Sequence, residues 1–466
     1  MPCWKCAISA TTSSTGVKAL SAGGRERETY DVVVAGGGAS GMIAAVAAAR
    51  NGARVILIER ESCLGGTATS AYVAQYVGFY NHNTQAVWGI PYELTRRIIE
   101  AGGSDDFGHY TMAEAAANPL TIHHFPFNPE IVKIVADEMT DEAHVDILLH
   151  AQICGVVRDG DNITGVSVET ISGRRDITGK VIIDATGDAI VAHAAGIPML
   201  DEAEEDRRSR QPMTLCFRLS NVDVPRFRAL SRDTKRALAL KGIRDGELFW
   251  ESMSFVSTPG GHDAICLMSR IMGLDALDEA DLSEAERVGR RQIKSIANFL
   301  KREVPGFEKS ILASIAPRVG IRETRRIEGQ YMLTGEDILQ QRRFDDTVAL
   351  GCGPMDIHDP HGTGIALHMP PAPFDIPMRT MIPKQVDGLI VTGRAICATH
   401  EANGGARHMA TAMALGQAAG TMAAIAAAEG IEIQELPAGR VRETLRRDGA
   451  ALSVEDCGRY ASGQTR

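Results

Sequence analysis

Apolar positions in this chain fall into short unbroken runs, not long amphipathic stripes. Asp31–Ala35 and Ala53–Ile58 are two such runs. Runs without polar alternation predict strands covered on both faces, as in a parallel sheet. Between them a glycine-rich turn opens an alanine-rich stretch that ends at Arg50. Strand, helix and strand in so short a span predict a parallel βαβ unit. Further on, Asn128–Glu142 carries a helical apolar period. Val145–Leu149, Ile153–Arg158, Ile163–Thr170 and Lys180–Asp184 predict strands, with turn signals at Asp159-Gly160-Asp161-Asn162 and Ser172-Gly173 making three of them a meander.

A charged run, Glu202–Arg210, predicts a solvated crossing into a second region. There, strands are expected at Met213–Leu219 and Ala264–Arg270 and a helix at Ser283–Glu303. A proline-rich loop, Met369–Pro373, leads back to a buried-type strand at Leu389–Thr392. Met409–Ala428 has no charged side chain, but its residues are mostly Ala, Gly, Thr and Met, with Gly416 and Gly420 four apart. That predicts a helix packed closely inside the protein and not a membrane span. No internal repeat is visible.

Composition changes this picture little. The 466 residues are 44% hydrophobic and 23% charged, an ordinary globular balance of a length that suggests two or three packed units. The net charge of −10 argues against nucleic acid or an anionic membrane as main partner. A small-molecule substrate is expected instead, and a homo-oligomer is compatible with everything seen. Nine scattered cysteines suggest reduced thiols and a cytoplasmic setting. Met1–Glu28 resembles a flexible leader without a signal-peptide core. Its Cys3 and Cys6 form a lone C-x-x-C, short of the four ligands a structural zinc needs.

The strongest motif is Gly36-Gly37-Gly38-Ala39-Ser40-Gly41, a G-x-G-x-x-G between strand and helix. Gly36 permits the tight turn and Gly38 the approach of a pyrophosphate. Gly41 lets helix and strand pack closely, and the helix N-terminus stabilises the anion. Glu59 ends the next strand 23 residues after Gly36, where a carboxylate can hold ribose hydroxyls. Leu64-Gly65-Gly66-Thr67 follows at once, suited to the flavin side of a long cofactor. Two further strand ends, Ile183-Asp184-Ala185-Thr186-Gly187-Asp188 and Val391-Thr392-Gly393-Arg394, complete a set whose order favours FAD over NAD. Arg60 and Ile153 join the expected cofactor residues.

In these motifs the chain resembles the FAD-dependent oxidoreductases of the glutathione-reductase-like superfamily, particularly relatives of succinate dehydrogenase and fumarate reductase flavoproteins. The resemblance runs from about Asp31 to about Leu452. It includes Gly320–Gly329, Gly335-Glu336-Asp337-Ile338, Met355-Asp356-Ile357-His358, Ile376-Pro377-Met378-Arg379 and Gly416-Gln417-Ala418-Ala419-Gly420. It implies an α/β fold: a Rossmann-type FAD-binding domain from residues 30–203 and 376–452, and a discontinuous second α+β substrate domain over 204–375. Residues 1–29 form the leader and 453–466 a tail. The function implied is a dehydrogenase or reductase moving hydride between a small organic substrate and flavin N5. An oxygen-using flavin monooxygenase, or a non-catalytic flavoprotein that binds RNA or protein, is the alternative.

Departures from the pattern narrow the chemistry. Gly66-Thr67 leads to Ala68-Thr69-Ser70, so the redox cysteine pair of disulfide reductases is missing. No second strand-linked glycine motif marks an NADPH domain. Ser62-Cys63-Leu64 stands where fumarate reductases carry a flavin-linking histidine, so non-covalent FAD is expected.

Candidate catalytic residues cluster late. His358 and His361, and His400 beside Glu401, are candidates for general acid/base work, since imidazole titrates near neutral pH. His358, His361 and His368 share no helix face, and no metal is expected of them. His123-His124 is expected in a loop. Arg322–Arg326 is expected on a strand, where it forms either a buried Arg–Glu pair or an arginine fork for a substrate carboxylate. Arg394 is expected at a strand's carboxyl end. Arg407 is placed on a helix beginning near Gly404 to Arg407, beside the flavin ring.

Overall fold

The computed structural model describes residues 29–112, 119–200 and 207–462. Cys3, Cys6, most of the Glu202–Arg210 run and the end of the tail lie outside the described residues.

Four short strands and the carboxyl half of a longer one build a parallel sheet. Their order is Asp146–Leu148, Val55–Ile58, Thr29–Ala35, Gly173–Asp184 and Leu389–Val391. The long strand Gly173–Asp184 has two halves. Its first half pairs antiparallel with Asn162–Thr170, which in turn pairs with Gln152–Asp159 to form the expected meander. Its second half lies between the first strand and Leu389–Val391, so a strand from late in the chain completes the sheet.

The apolar runs work as parallel strands because both faces are covered. Val32, Val34, Leu57 and Ile183 face one core; Val33, Ala35, Ile58 and Ile182 face another, following the two-residue period. The first core is filled by two helices, Ala39–Arg50 and Met409–Glu429, packed along each other. A Cβ at Gly416 would strike the carbonyl oxygen of Ser40, and one at Gly420 that of Ala44. Glycine at these two positions is therefore what lets the helices meet backbone to backbone. Met409–Glu429 is long and apolar enough to cross a bilayer, yet it is almost wholly buried inside this protein.

The second region has its own antiparallel sheet, ordered Phe255–Ser257, Asp263–Cys266, Phe217–Ser220 and Ile311–Ile315. The helix Glu279–Glu303 covers it through Ile293, Ile296 and Phe299. Two hairpins follow: Met355–His358 with Ile365–His368, and Thr347–Gly351 with Phe374–Pro377.

Several expectations need correction. Arg322–Arg326 is not a strand: it pairs with no neighbouring strand, and the Arg326 carbonyl accepts instead from the Leu200 N–H at 2.8 Å. His123 and His124 lie on the strand Leu120–Pro126 and not in a loop, since His124 sits opposite Val77 and Gly108 in a three-stranded sheet. Arg407 begins no helix. It ends the short helix His400–Ala406, and the long helix starts at Met409.

Candidate functional site

The glycine turn after the first strand is built by exclusion of side chains. Gly36 has φ of +100°, and a Cβ there would lie 2.7 Å from the Ala185 carbonyl oxygen. Gly38 bridges to Gly65. A Cβ on Gly66 would lie 2.7 Å from the Gly38 Cα, whereas one on Gly38 has open space around it. Gly38 also N-caps the helix Ala39–Arg50 without any side-chain cap, which leaves first-turn N–H groups for a ligand.

These residues wall a cleft of about 860 Å³. Gly36, Gly38, Ala39, Ser40, Glu59, Arg60, Ile153, Ala185, Thr186 and Gly187 all line it. Gly66, Thr67, Gly393, Arg394 and Arg407 line it too. Gly41 and Gly65 do not line the cleft: a Cβ on Gly41 would strike the Gly36 carbonyl, and the Gly65 N–H donates to the Gly37 carbonyl at 2.9 Å. The Glu59 carboxylate accepts from the Gly37 N–H at 2.6 Å and the Glu61 N–H at 2.9 Å, which fixes it at the cleft edge. Glycine cradle, uncapped helix start and terminal carboxylate together suit a dinucleotide. Thr392, from the expected strand-end motif, also lines the cleft, as does Arg318, which was not anticipated.

Arg394 follows the strand Leu389–Val391 at its carboxyl end, as expected, and is held there by an ion pair. Its guanidinium donates to Asp188 at 2.5 Å and to the Ile321 carbonyl at 3.1 Å, and Thr324 Oγ1 donates to the same Asp188 oxygen at 2.9 Å. Burial pushes the Asp188 carboxyl up, but Arg394 and Arg60 outweigh it and leave the carboxyl below its usual range. Arg394 is thus a clamp joining the Thr186–Asp188 turn to the segment before Arg322.

A second chamber of about 1070 Å³ abuts the cleft, and Thr67, Arg394, Arg407 and Met409 border both. Its apolar lining comes from Val73, Val77, Met112, Leu267 and Ile365, with Gln75 and Tyr110 among them. Its lining also includes Arg322, Asp356, His358 and Trp250. Asp356 and His358 alternate on one strand, so both reach the same face. Arg407 donates to the Asp356 carboxylate at 3.0 Å and to its carbonyl at 2.8 Å. The Gln211 side-chain oxygen accepts from Arg407 at 3.3 Å and from the His358 N–H at 3.1 Å. Asp356 lies far below the usual carboxylate range, because His358 and Arg407 overcome its burial.

His358 Nδ1 faces an Arg270 N–H at 3.2 Å, and its Nε2 lies 3.3 Å from Asp356. An arginine can only donate, so Nδ1 is the acceptor and the proton sits on Nε2. Burial, with Arg322 nearby, pulls the imidazole down to about 4. At neutral pH His358 is therefore an uncharged group that holds Asp356, with no proton to give as an acid.

The other two histidines stand apart. His361 lies in the exposed hairpin turn, where its N–H donates to the Asp359 carboxylate, and it lines neither cavity. His400 pairs with Glu323 at 2.9 Å, is 37% exposed, and also lines neither cavity. Burial pushes Glu323 up, but His400 outweighs it and holds the carboxyl down at about 2, while His400 itself is raised. The Arg–Glu pair expected in this segment is therefore a His–Glu pair. Sequence reasoning missed Arg270, Trp250 and Gln211. Arg270 closes the run Ala264–Arg270, and a charge at the end of an apolar strand is the one signal it offered.

Comparison with known proteins places this geometry in context. A family model described as FAD dependent oxidoreductase matches residues 31–445. Digeranylgeranylglycerophospholipid reductase 1 of Methanococcoides burtonii is 27% identical over 173 residues, 37% of this chain and 41% of that protein. The 4-oxocyclohexanecarboxylate 2-dehydrogenase of Sinomonas cyclohexanicum is 41% identical over 63 residues, 14% of this chain and 11% of that one. The chain thus spans less than half the length of the curated relatives it matches. A geranylgeranyl bacteriochlorophyll reductase-like structure from Thermoplasma acidophilum aligns over 90% of this chain and 83% of its own, at 14% identity and a TM-score of 0.47.

Proposed function

The chain belongs to the FAD dependent oxidoreductase family, and is an enzyme whose cofactor is FAD; from that premise we propose that it is a dehydrogenase or reductase whose organic substrate occupies the chamber beside the cleft. The observation that carries this reading is the shared border. Thr67, Arg407 and Met409 belong to the cofactor cleft and to the chamber at once, so a ligand in either space meets the other there.

When bound, FAD accepts or donates two electrons. This chain's residues supply position and charge. The turn Gly36–Gly41 and the helix start after it would hold the diphosphate, and Glu59 the ribose. Gly66 and Thr67, with Gly187 and Gly393, would flank the rest. Arg407, fixed by Asp356 and Gln211, adds positive charge at the border, as does the start of the helix Met409–Glu429, which has no side-chain cap. Such charge favours an electron-rich ligand there. Cys63 does not line the cleft, which supports non-covalent attachment. The curated relatives' names, a reductase and a dehydrogenase, support carbon-centred electron transfer over oxygen insertion.

Anaerobic screening of the purified protein against a metabolite library tests the proposal. Bleaching of the flavin by a substrate, or reoxidation of dithionite-reduced protein by an unsaturated acceptor, is the expected result. Turnover that needs oxygen and NAD(P)H and gives a hydroxylated product would establish a monooxygenase instead.

A further inference from the structure

Among the described residues, the arginines at and behind the chamber are not equally served by carboxylates. Arg407 shares the Asp356 carboxylate. Arg322, half-buried in the chamber wall, donates to the Pro212 carbonyl and to Thr214 Oγ1 at 3.0 Å, both neutral acceptors. Arg270, buried behind His358, donates to the imidazole and to the carbonyls of Asp359 at 2.7 Å and Gly364 at 2.9 Å, again all neutral. Asp356 thus serves Arg407 directly, the Asp359 carboxylate acts on Arg270 through space, and Arg322 has no hydrogen bond to a carboxylate, while His358 is uncharged. Burial pulls Arg322 down to about 10, with Arg407 adding to the effect. A charge removed from water is costly unless it is paired. Of the three, Arg322 borders only the chamber, so a counter-ion entering that space meets it directly. Val73, Val77, Met112 and Leu267 line the same space and give it apolar surface, with Gln75 and Tyr110 among them.

We propose that the chamber binds an amphipathic organic anion, with its carboxylate or phosphate head on Arg322 and its hydrocarbon body against Val73, Val77 and Leu267. This rests on the chamber being the substrate site. A planar guanidinium with free N–H groups matches either head in a two-point fork, which lysine cannot reproduce. These apolar side chains then favour a body that gains by leaving water.

The test uses the oxidised, FAD-loaded protein and measures binding by calorimetry and by perturbation of the flavin spectrum. The probes are cyclohexanecarboxylate, hexanoate and phenyl phosphate, against the neutral cyclohexanecarboxamide, hexanamide and phenol. Each anion should bind roughly tenfold to a hundredfold tighter than its neutral partner, and the carboxylate and phosphate arms identify the preferred head. Arg322→Gln should abolish that preference while leaving binding of the neutral probes in place, and Arg322→Lys should restore part of it. If Arg322→Gln does not fold, the comparison on native protein decides alone. Equal binding of anions and neutral partners overturns the proposal, as does an undiminished preference in a folded Arg322→Gln protein. A clear anion preference with no compound able to reduce the flavin would count against the proposed reaction and would leave this site standing.

Discussion

The cofactor cleft and the adjoining chamber are built by different means. The cleft is made of backbone. Its essential residues are glycines whose missing side chains create the space, at Gly36, Gly38 and Gly66, and they lie close together in sequence. The chamber is lined by side chains such as Trp250, Arg322, Asp356, His358 and Arg407, brought together from distant segments and braced by Gln211 and Arg270. A backbone-built site tolerates almost no change at its turn, because any Cβ is in the way. A side-chain-built site can change its ligand by exchange of one residue while the fold stays intact. This contrast fits a family with one cofactor and many substrates.

The largest effect that would break this comparison is expected at the turn. Gly36→Val or Gly38→Val should abolish FAD binding: in the first, a side chain meets Ala185 with φ at +100°, and in the second it fills open cleft space. Flavin absorbance of folded, purified variants checks this, and a fully yellow protein would show that the cofactor sits elsewhere. Next comes the clamp. Arg394→Ala strands the buried Asp188 carboxylate without its ion pair and should cost about 3 kcal/mol of stability, measured by chemical unfolding. If stability is unchanged, Arg394 is a ligand contact and not a brace.

A smaller effect follows from pH. Burial holds both His124 and His408 at about 4, against an ordinary 6.5. Below 6.5 the unfolded chain takes up these protons first, so stability is complete above 6.5 and falls as pH drops towards 4. Tm should fall by several degrees between pH 7 and pH 5, and replacement of His408 by Asn should flatten part of that slope. The smallest effect is expected at His400, which is half exposed and tied to Glu323 outside both cavities. His400→Ala should change turnover by less than about tenfold, whereas loss of a general acid/base costs on the order of 10²–10⁴-fold.

The same contrast explains what could be read from the sequence. Residues Gly36–Gly41, Glu59 and Gly65–Gly66 stood out because close backbone approach demands glycine at fixed spacing near a strand end. Gly416 and Gly420 signalled tight helix packing for the same reason, and the structure supplies the partner, the helix Ala39–Arg50. Arg270 and Gln211 gave no such signal: a single polar residue at the end of an apolar run has no spacing to be recognised by. Arg322–Arg326 was misjudged as a strand because alternating charge resembles a pleat, while its carboxylate in fact answers a histidine far along the chain. His358 carried the right residue type, but only its neighbours Arg270 and Asp356 reveal that it is neutral and holds a carboxylate.

The most direct test of the central claim, a backbone-built FAD cleft opening on a side-chain-built substrate chamber, is the electron density of the cofactor in crystals of the FAD-loaded protein. The account predicts the diphosphate over the Gly36–Gly41 turn, the ribose on Glu59, and the ring system reaching the border formed by Thr67, Arg407 and Met409, with space left beside Arg322. Density that leaves the glycine turn empty, or that fills the chamber with the cofactor's adenosine half, would contradict it.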